Sequence, residues 1–278
     1  MKVLLLGGTG AIGKELVHLL SASGIETIVT SRKIREDERL VRYIQGNAQD
    51  VKFLQEFLAG NQWDAIVDFM VYTTPSFNER VNLLLSSTSQ YVFISSARVY
   101  ADSDQPITEN SFRLLDVCED QRFLSTDEYS LAKARQEDIL GNSGSHNWTI
   151  IRPYITYSEK RLQLGVFEKE EWLYRALHGR TIVFSKDIYT KKTTMTYGLD
   201  VAKGIFAIIG NSKSFGETFN ITTKNSYTWK YIVSNYLEVL EKHLGYRPKV
   251  MLQDLDKFLM CKSAKYQILY DRLYNRQF

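Results

Sequence analysis

The sequence predicts an α/β fold, a doubly wound parallel sheet with a smaller carboxy-terminal lobe, and three observations carry that prediction. The apolar run Val3-Leu4-Leu5-Leu6 breaks directly into Gly7-Gly8-Thr9-Gly10-Ala11-Ile12-Gly13. Short apolar runs then alternate with stretches of helical spacing as far as Ile151, as parallel strands linked by crossover helices do. Beyond Pro153 the alternation lapses, although the composition does not shift sharply.

In the first unit, Ile12, Leu16, Leu19 and Leu20 recur at helical spacing behind the strand, and Gly7, Gly10 and Gly13 form G-x-x-G-x-x-G between strand and helix. The first glycine permits a left-handed turn, the second lets a pyrophosphate approach the backbone, and the third lets helix and sheet pack closely. The helix N-terminus adds unpaired N–H groups and a positive field. Gly7, Thr9, Gly10, Ala11, Ile12 and Gly13 are therefore the candidate phosphate cradle of a Rossmann-type dinucleotide domain.

Gly24–Thr30 predicts a second strand, followed by the charged stretch Ser31–Arg39. The residue ending this strand faces the adenosine ribose, where an acid takes a free 2′-hydroxyl and a basic residue takes a 2′-phosphate. Ser31, Arg32 and Lys33 stand there with no carboxylate before Glu36, which favours NADP over NAD. Tyr43–Gln45 is a short third strand, with Asn47 after it at the adenine site. A helix over Val51–Leu58, a strand over Ala65–Met70, a helix from Pro75 carrying Val81, Leu84 and Leu85, and a strand over Gln90–Ile94 follow.

Ligands in such sheets bind beyond the carboxyl ends of the strands, which singles out Ser95 and Ser96. A polar loop from Ala101 to Thr126 leads into a helix over Tyr129–Leu140, and Trp148–Ile151 is a sixth strand stopped by Arg152-Pro153. Tyr154–Gln163 reads as a loop, Gly165–Leu177 and Val201–Ile209 as helices, Thr181–Phe184 and Thr218–Ile221 as strands, and Thr228–Leu244 as a long helix broken at Gly245. Lys249–Leu252 is a further strand, and two short helical segments close the chain. The expected division is 1–155 as the NAD(P)-binding domain, with later segments returning to it, and 156–278 mainly as a substrate-binding lobe.

Tyr129 and Lys133 lie four residues apart, on one face of a helix. A phenol titrates near about pH 10, and a neighbouring ammonium together with a cationic oxidised nicotinamide favours the phenolate, so that the pair suits proton transfer alongside hydride transfer. Ser96 is placed to hold the substrate oxygen.

Ordered as they are, the glycine turn, Asp64–Asp68, Tyr91–Tyr100, Tyr129–Lys133, Ile151–Pro153, Gly198–Ala202 and Phe219–Ile221 resemble the extended, nucleotide-sugar-modifying branch of the short-chain dehydrogenase/reductase superfamily. The resemblance implies Ser96, Tyr129 and Lys133 as catalytic residues. Phe69, Tyr72, Ser95, Lys133, Pro153 and Tyr154 are implied on the cofactor, and Ser96, Ala97, Arg98, Tyr129, Arg161 and Lys192 on the substrate. It also implies a homodimer through Pro75–Leu85 and Tyr129–Leu140. Ala97-Arg98 replaces the acid pair that 4,6-dehydratases carry after the active-site hydroxyl, so dehydration is set aside, and Lys192 stands where arginine is commoner.

The expected activity is reduction of a 4-keto sugar carried on a nucleoside diphosphate, with Tyr129 as proton donor. An NAD-dependent nucleotide-sugar 4-epimerase is the alternative. A third reading is a catalytically silent nucleotide- or RNA-binding protein on the same fold, because Gly7-Gly8-Thr9, Arg32 and Asp68–Tyr72 also resemble chloroplast stem-loop-binding proteins.

Composition sets bounds on all three. The chain of 278 residues has a net charge of +3 from 35 basic and 32 acidic side chains, with no aromatic-basic stripe, which argues against nucleic acid. No apolar run approaches membrane-spanning length, and Met1-Lys2 leads straight into the first strand without a secretory segment, so a cytoplasmic location is expected. Cys118 and Cys261 form no framework, and His18, His146, His178 and His243 lack ligand spacing, so no metal is expected.

Overall fold

The computed structural model describes residues 1–278 and divides them into two compact units. The first comprises Met1–Val99, Arg113–Thr156 and Thr196–Ile221; the second comprises Tyr100–Phe112, Tyr157–Met195 and Thr222–Phe278. The units interleave along the chain.

The first unit is built on a parallel sheet of seven strands. β1 (Lys2–Leu6) lies between β2 (Glu26–Ser31) and β4 (Ala65–Asp68), with Leu4 opposite Ile28 on one side and Ile66 on the other. β3 (Val41–Gln45) pairs outside β2, while β5 (Tyr91–Ile94), β6 (Trp148–Pro153) and the strand Glu217–Ile221 follow on from β4. The order reverses at β1, so the carboxyl ends of β1 and β4 flank the crevice where such sheets bind ligands.

Both faces of the sheet are covered, so its strands are apolar on both sides. Val3, Leu5 and Val67 pack with Leu16, Val17 and Leu20 of α1 (Gly13–Ala22) and with Val201 and Ile205 of the helix Gly198–Ile208. Leu4, Leu6 and Ile66 pack on the other side with Leu54 and Leu58 of α2 (Val51–Leu58) and with Phe77, Val81 and Leu84.

The helix expected from Pro75 is two: α3 (Thr74–Asn78) and α4 (Val81–Ser86). The guanidinium of Arg80 takes the Ser76 carbonyl at 2.6 Å, and the Arg80 N–H turns to Phe77 O, so the helical ladder is interrupted there. The polar loop holds two short helices, α5 (Leu114–Val117) and α6 (Gln121–Leu124), before α7 (Tyr129–Gly141). No residue of α7 from Tyr129 to Leu140 is exposed. Two of its half-buried residues, Arg135 and Asp138, already pair with Asp127 and Arg113.

The second unit centres on the helix Trp229–Leu244, capped by Thr228 Oγ1 and ended by Gly245 in the left-handed region at φ 73°. Trp172, on the helix Lys169–Leu177, stacks on Tyr236 at 4.8 Å, and Phe184, Trp229 and Phe258 complete the core. The helix expected from Gly165 starts four residues later because Leu164 and Phe167 bridge each other and Glu168 with Glu171 forms a capping box. Ile182–Ser185 pairs in parallel with Val250–Gln253. No helix in the protein is long and apolar enough to cross a membrane.

Phe77 is fully buried, with its ring 5.1 Å from Phe93 and 6.0 Å from Tyr72. Phe77→Ala is expected to cost about 3–5 kcal/mol in urea unfolding, because it removes a fully buried ring from the core shared with Phe93 and Tyr72.

Candidate active site

The glycine turn shows what each glycine is for. Gly7 has φ 74°, a conformation that favours glycine, and a Cβ on it would lie 2.6 Å from Met70 Sδ, so a side chain there would displace the thioether. A Cβ on Gly13 would meet the Gly8 backbone at 2.6 Å. Gly10 differs: a Cβ there would meet nothing within 4 Å. The protein itself gives no reason for glycine at that position, whereas a phosphate approaching the backbone does. α1 begins beside it at the Ile12 cap, whose side chain bonds none of the first-turn amides; the Lys14 N–H donates to Gly10 O at 3.0 Å, and the N-terminal end of the helix faces the turn with its positive field. These features fit a dinucleotide's pyrophosphate.

A cleft of about 220 Å³ opens next to this turn, lined by Gly7, Thr9, Ser31, Arg32, Asn47 and Met70 among others, and no carboxylate lines it. Ser31, ending β2, accepts the Lys33 N–H at 3.2 Å and Arg35 Nε at 3.4 Å, so it orders a basic turn. Arg32 and Lys33 themselves are exposed.

At the carboxyl ends of β4 and β5 the dominant feature is Lys133, only 1% exposed. Its Nζ donates to Ile94 O at 2.8 Å and Met70 O at 3.4 Å and lies 4.3 Å from the centre of the Phe93 ring. Burial pushes the ammonium down to about 8, opposed by the carboxylates of Asp68 and Glu137. Met70 thus backs the glycine turn with its side chain and meets the lysine with its carbonyl.

Tyr129 opens α7 one turn before Lys133. The guanidinium of Arg98, on the 3-10 turn Ala97–Val99, sits 5.1 Å from the centre of the Tyr129 ring and pairs with Glu128 at 2.5 Å. Glu128 in turn caps α7 through Ser130 N at 2.7 Å. Ser96, 7% exposed, accepts the Arg98 N–H at 3.2 Å, which leaves its own hydroxyl hydrogen to donate elsewhere.

Two of the residues named on the cofactor turn inward. Tyr72 is 4% exposed, with its hydroxyl 3.5 Å from Asp68 and Arg80 over its ring. Ser95 donates to Glu137 at 2.5 Å. Because β4 and β5 are apolar on both faces, no alternation of residue types shows which way a side chain at their ends points. Gly7, Thr9, Ser31, Arg32 and Asn47 share the cleft; Ala11 and Ile12 lie beside it in the turn, and Phe69 packs with the core on the α1 face. Ala97 is fully buried, and Pro153 ends β6 just before the buried Tyr154. Arg161, paired with Glu168, and Lys192, 3.5 Å from Gln277, belong to the second unit.

Sequence reasoning missed the polar residues beneath the site. Glu137 is 4% exposed and takes Arg152 through two bonds, at 2.9 and 2.7 Å, with Arg113 at 3.5 Å. Asp68, fully buried, accepts Tyr91 Oη at 2.8 Å and Met70 N at 2.9 Å. The available signal was an acid ending the otherwise apolar strand Ala-Ile-Val-Asp.

A model of the NAD dependent epimerase/dehydratase family matches residues 3–222. The chain belongs to that family. Among solved structures of epimerases, the UDP-glucuronic acid 4-epimerase of Bacillus cereus in complex with NAD superimposes with a TM-score of 0.70 at 17% identity, covering 91% of this chain and 86% of that one. An epimerase of Methanothermobacter thermautotrophicus gives 0.69 at 15% identity, covering 99% and 87%. At these identities the likeness speaks to the fold, and it bears out the Rossmann-type parallel sheet. A curated relative, the chloroplast stem-loop binding protein of 41 kDa b of Arabidopsis thaliana, is 25% identical over 243 residues. That match covers 82% of this chain, which spans 60% of the relative's length.

The glycine geometry separates two substitutions. Gly10→Ala is expected to keep the unfolding midpoint and to weaken NADPH or NADH binding at least about tenfold in fluorescence titration, whereas Gly13→Ala loses about 1–3 kcal/mol of stability. Lys133 sets a pH dependence. Its folded pKa, about 8, lies below the ordinary 10.5, so between those values the unfolded chain holds a proton that the folded one lacks. Stability from this group therefore rises across that window. The difference between wild type and Lys133→Met in urea unfolding should change by roughly 3 kcal/mol from pH 7.5 to pH 10.5; a flat difference would contradict the burial of the charge.

Proposed function

We propose that the chain is an NAD(P)-dependent oxidoreductase acting on a nucleoside-diphosphate sugar, and that it reduces a 4-keto sugar with NADPH as the exchangeable donor. One observation carries this reading. Met70 joins the phosphate turn, through its contact with Gly7, to the proton-relay helix, through Lys133. Family membership supports dependence on a nicotinamide cofactor, and the sugar nucleotide named with a structural neighbour, UDP-glucuronic acid, supports the substrate class.

When bound, the nicotinamide supplies the hydride. The remaining work falls to this chain's own groups. Ser96, with its oxygen engaged by the Arg98 N–H, turns its hydrogen toward the substrate oxygen. Tyr129 delivers the proton to that oxygen as the carbon is reduced. The Lys133 ammonium along the helix and the Arg98 guanidinium against the ring both favour the phenolate that remains. The preference for NADPH over NADH is supported by a cleft that contains Arg32 and no acid.

Tyr129→Phe is expected to lower kcat by about 10²–10⁴-fold while NADPH affinity is kept. Arg32→Asp is expected to reverse the cofactor preference, with the NADPH-to-NADH affinity ratio falling at least about tenfold. Mass spectrometry of small molecules released from freshly purified protein tests the exchangeable donor: tightly retained NAD with a sugar nucleotide moves the assignment to a 4-epimerase.

The chloroplast relative supports a second reading, binding of structured RNA on the same fold. A salt-dependent RNA affinity that survives Tyr129→Phe, with no turnover of any keto sugar, would select it.

A further inference from the structure

Lys133 has no acid in direct contact. Its two hydrogen bonds go to the carbonyls of Ile94 and Met70, and its third side faces the Phe93 ring. The charged and titratable groups around it are Tyr129 one turn earlier on α7, Glu137 one turn later, and Asp68 on β4.

Glu137 is already balanced, since Arg152 holds both of its oxygens and Arg113 lies at 3.5 Å. Asp68 is not. Its Oδ2 accepts the Tyr91 hydroxyl, and its Oδ1 accepts the Met70 N–H and, at 3.5 Å, the Tyr72 hydroxyl. All three donors are neutral. Burial and the Asp68 charge raise both phenols well above their usual range, so they remain protonated donors, and Arg80 is set over Tyr72. Burial raises the Asp68 carboxyl above its ordinary range, and the three donors together with the Lys133 charge oppose that rise and favour the ionised form.

The peptide of Met70 therefore lies between two buried charges: its N–H points to Asp68, and its carbonyl receives Lys133. We propose that Asp68 positions Lys133, acting as its buried counter-ion across the Met70 backbone. Asp68 fixes the carbonyl on which the ammonium rests and supplies the uncommitted negative charge that keeps the ammonium protonated. Burial already brings Lys133 down to about 8 with Asp68 in place. Without that charge the lysine loses its proton near or below neutrality, and Tyr129 loses a cation. This inference rests on the reading of Lys133 as the partner of Tyr129, but the charge coupling is measurable without turnover.

The test is an NMR titration of protein carrying ¹³Cε-lysine, with the Lys133 resonance assigned by its loss in Lys133→Met. Asp68→Asn is expected to lower the Lys133 midpoint by at least about one pH unit, and Asp68→Glu to restore part of the shift. An unchanged midpoint in Asp68→Asn, or equal midpoints in the Asn and Glu variants, would overturn the assignment.

Should Asp68→Asn fail to fold, the double variant Asp68→Asn/Lys133→Met decides. Recovery of folding shows that the uncompensated ammonium was the cause, whereas losses that simply add show that the two side chains are uncoupled. In the surviving variants, the pH profile of kcat/KM should move with the lysine midpoint. Absence of turnover in wild type with a shifted midpoint in Asp68→Asn would defeat the oxidoreductase reading and leave the counter-ion role standing.

Discussion

An ammonium removed from water has to be surrounded by oxygen, and the carboxyl end of this sheet is arranged to do that for Lys133. A charge with almost no exposed surface costs several kcal/mol unless carbonyls, acids or ring faces replace its hydration. The carbonyls come from Ile94 and Met70, just where β5 and β4 end and main-chain oxygens are free of sheet partners. Each acid then needs its own donors. Glu137 draws in Arg152, Ser95 and Arg113, while Asp68 draws in Tyr91, Tyr72 and the Met70 amide. One buried charge thereby ties three adjacent strands to α7.

The frame of the fold was legible because its signals are local. An apolar run ending in glycines, and periodicity switching between strand and helix, need no knowledge of distant residues, and the seven-stranded parallel sheet bears them out. The interior polar residues were not legible, because burial at a strand end depends on which face its neighbours cover. Ser95 and Ser96 are adjacent, yet one turns in to Glu137 and the other closes the turn beneath Arg98. The break between α3 and α4 was hidden for a related reason. Arg80 reads as a good helix residue, and only its guanidinium reaching back to Ser76 O competes with the ladder.

Family membership leaves the chemistry open, and Arg98 shows how a single position can redirect it. The strand, the turn and α7 bring that position against the phenol ring whatever residue occupies it. An acid there could exchange protons with a sugar carbon. A guanidinium, charged at every working pH, offers only electrostatic support and a hydrogen-bond fork. The same backbone thus presents different chemical groups at one position in different sequences.

The interleaving of the two units bears on how the chain matures on the ribosome. β6 is complete at Pro153, but the strand that pairs along its outer side is Glu217–Ile221, and Tyr157–Met195 of the second unit is synthesised in between. During that interval the nascent sheet carries an apolar parallel edge with unpaired main-chain groups, the kind of edge that recruits other chains. Co-translational protection, by the ribosome surface or by a chaperone, matters most in the stretch of elongation between those two strands.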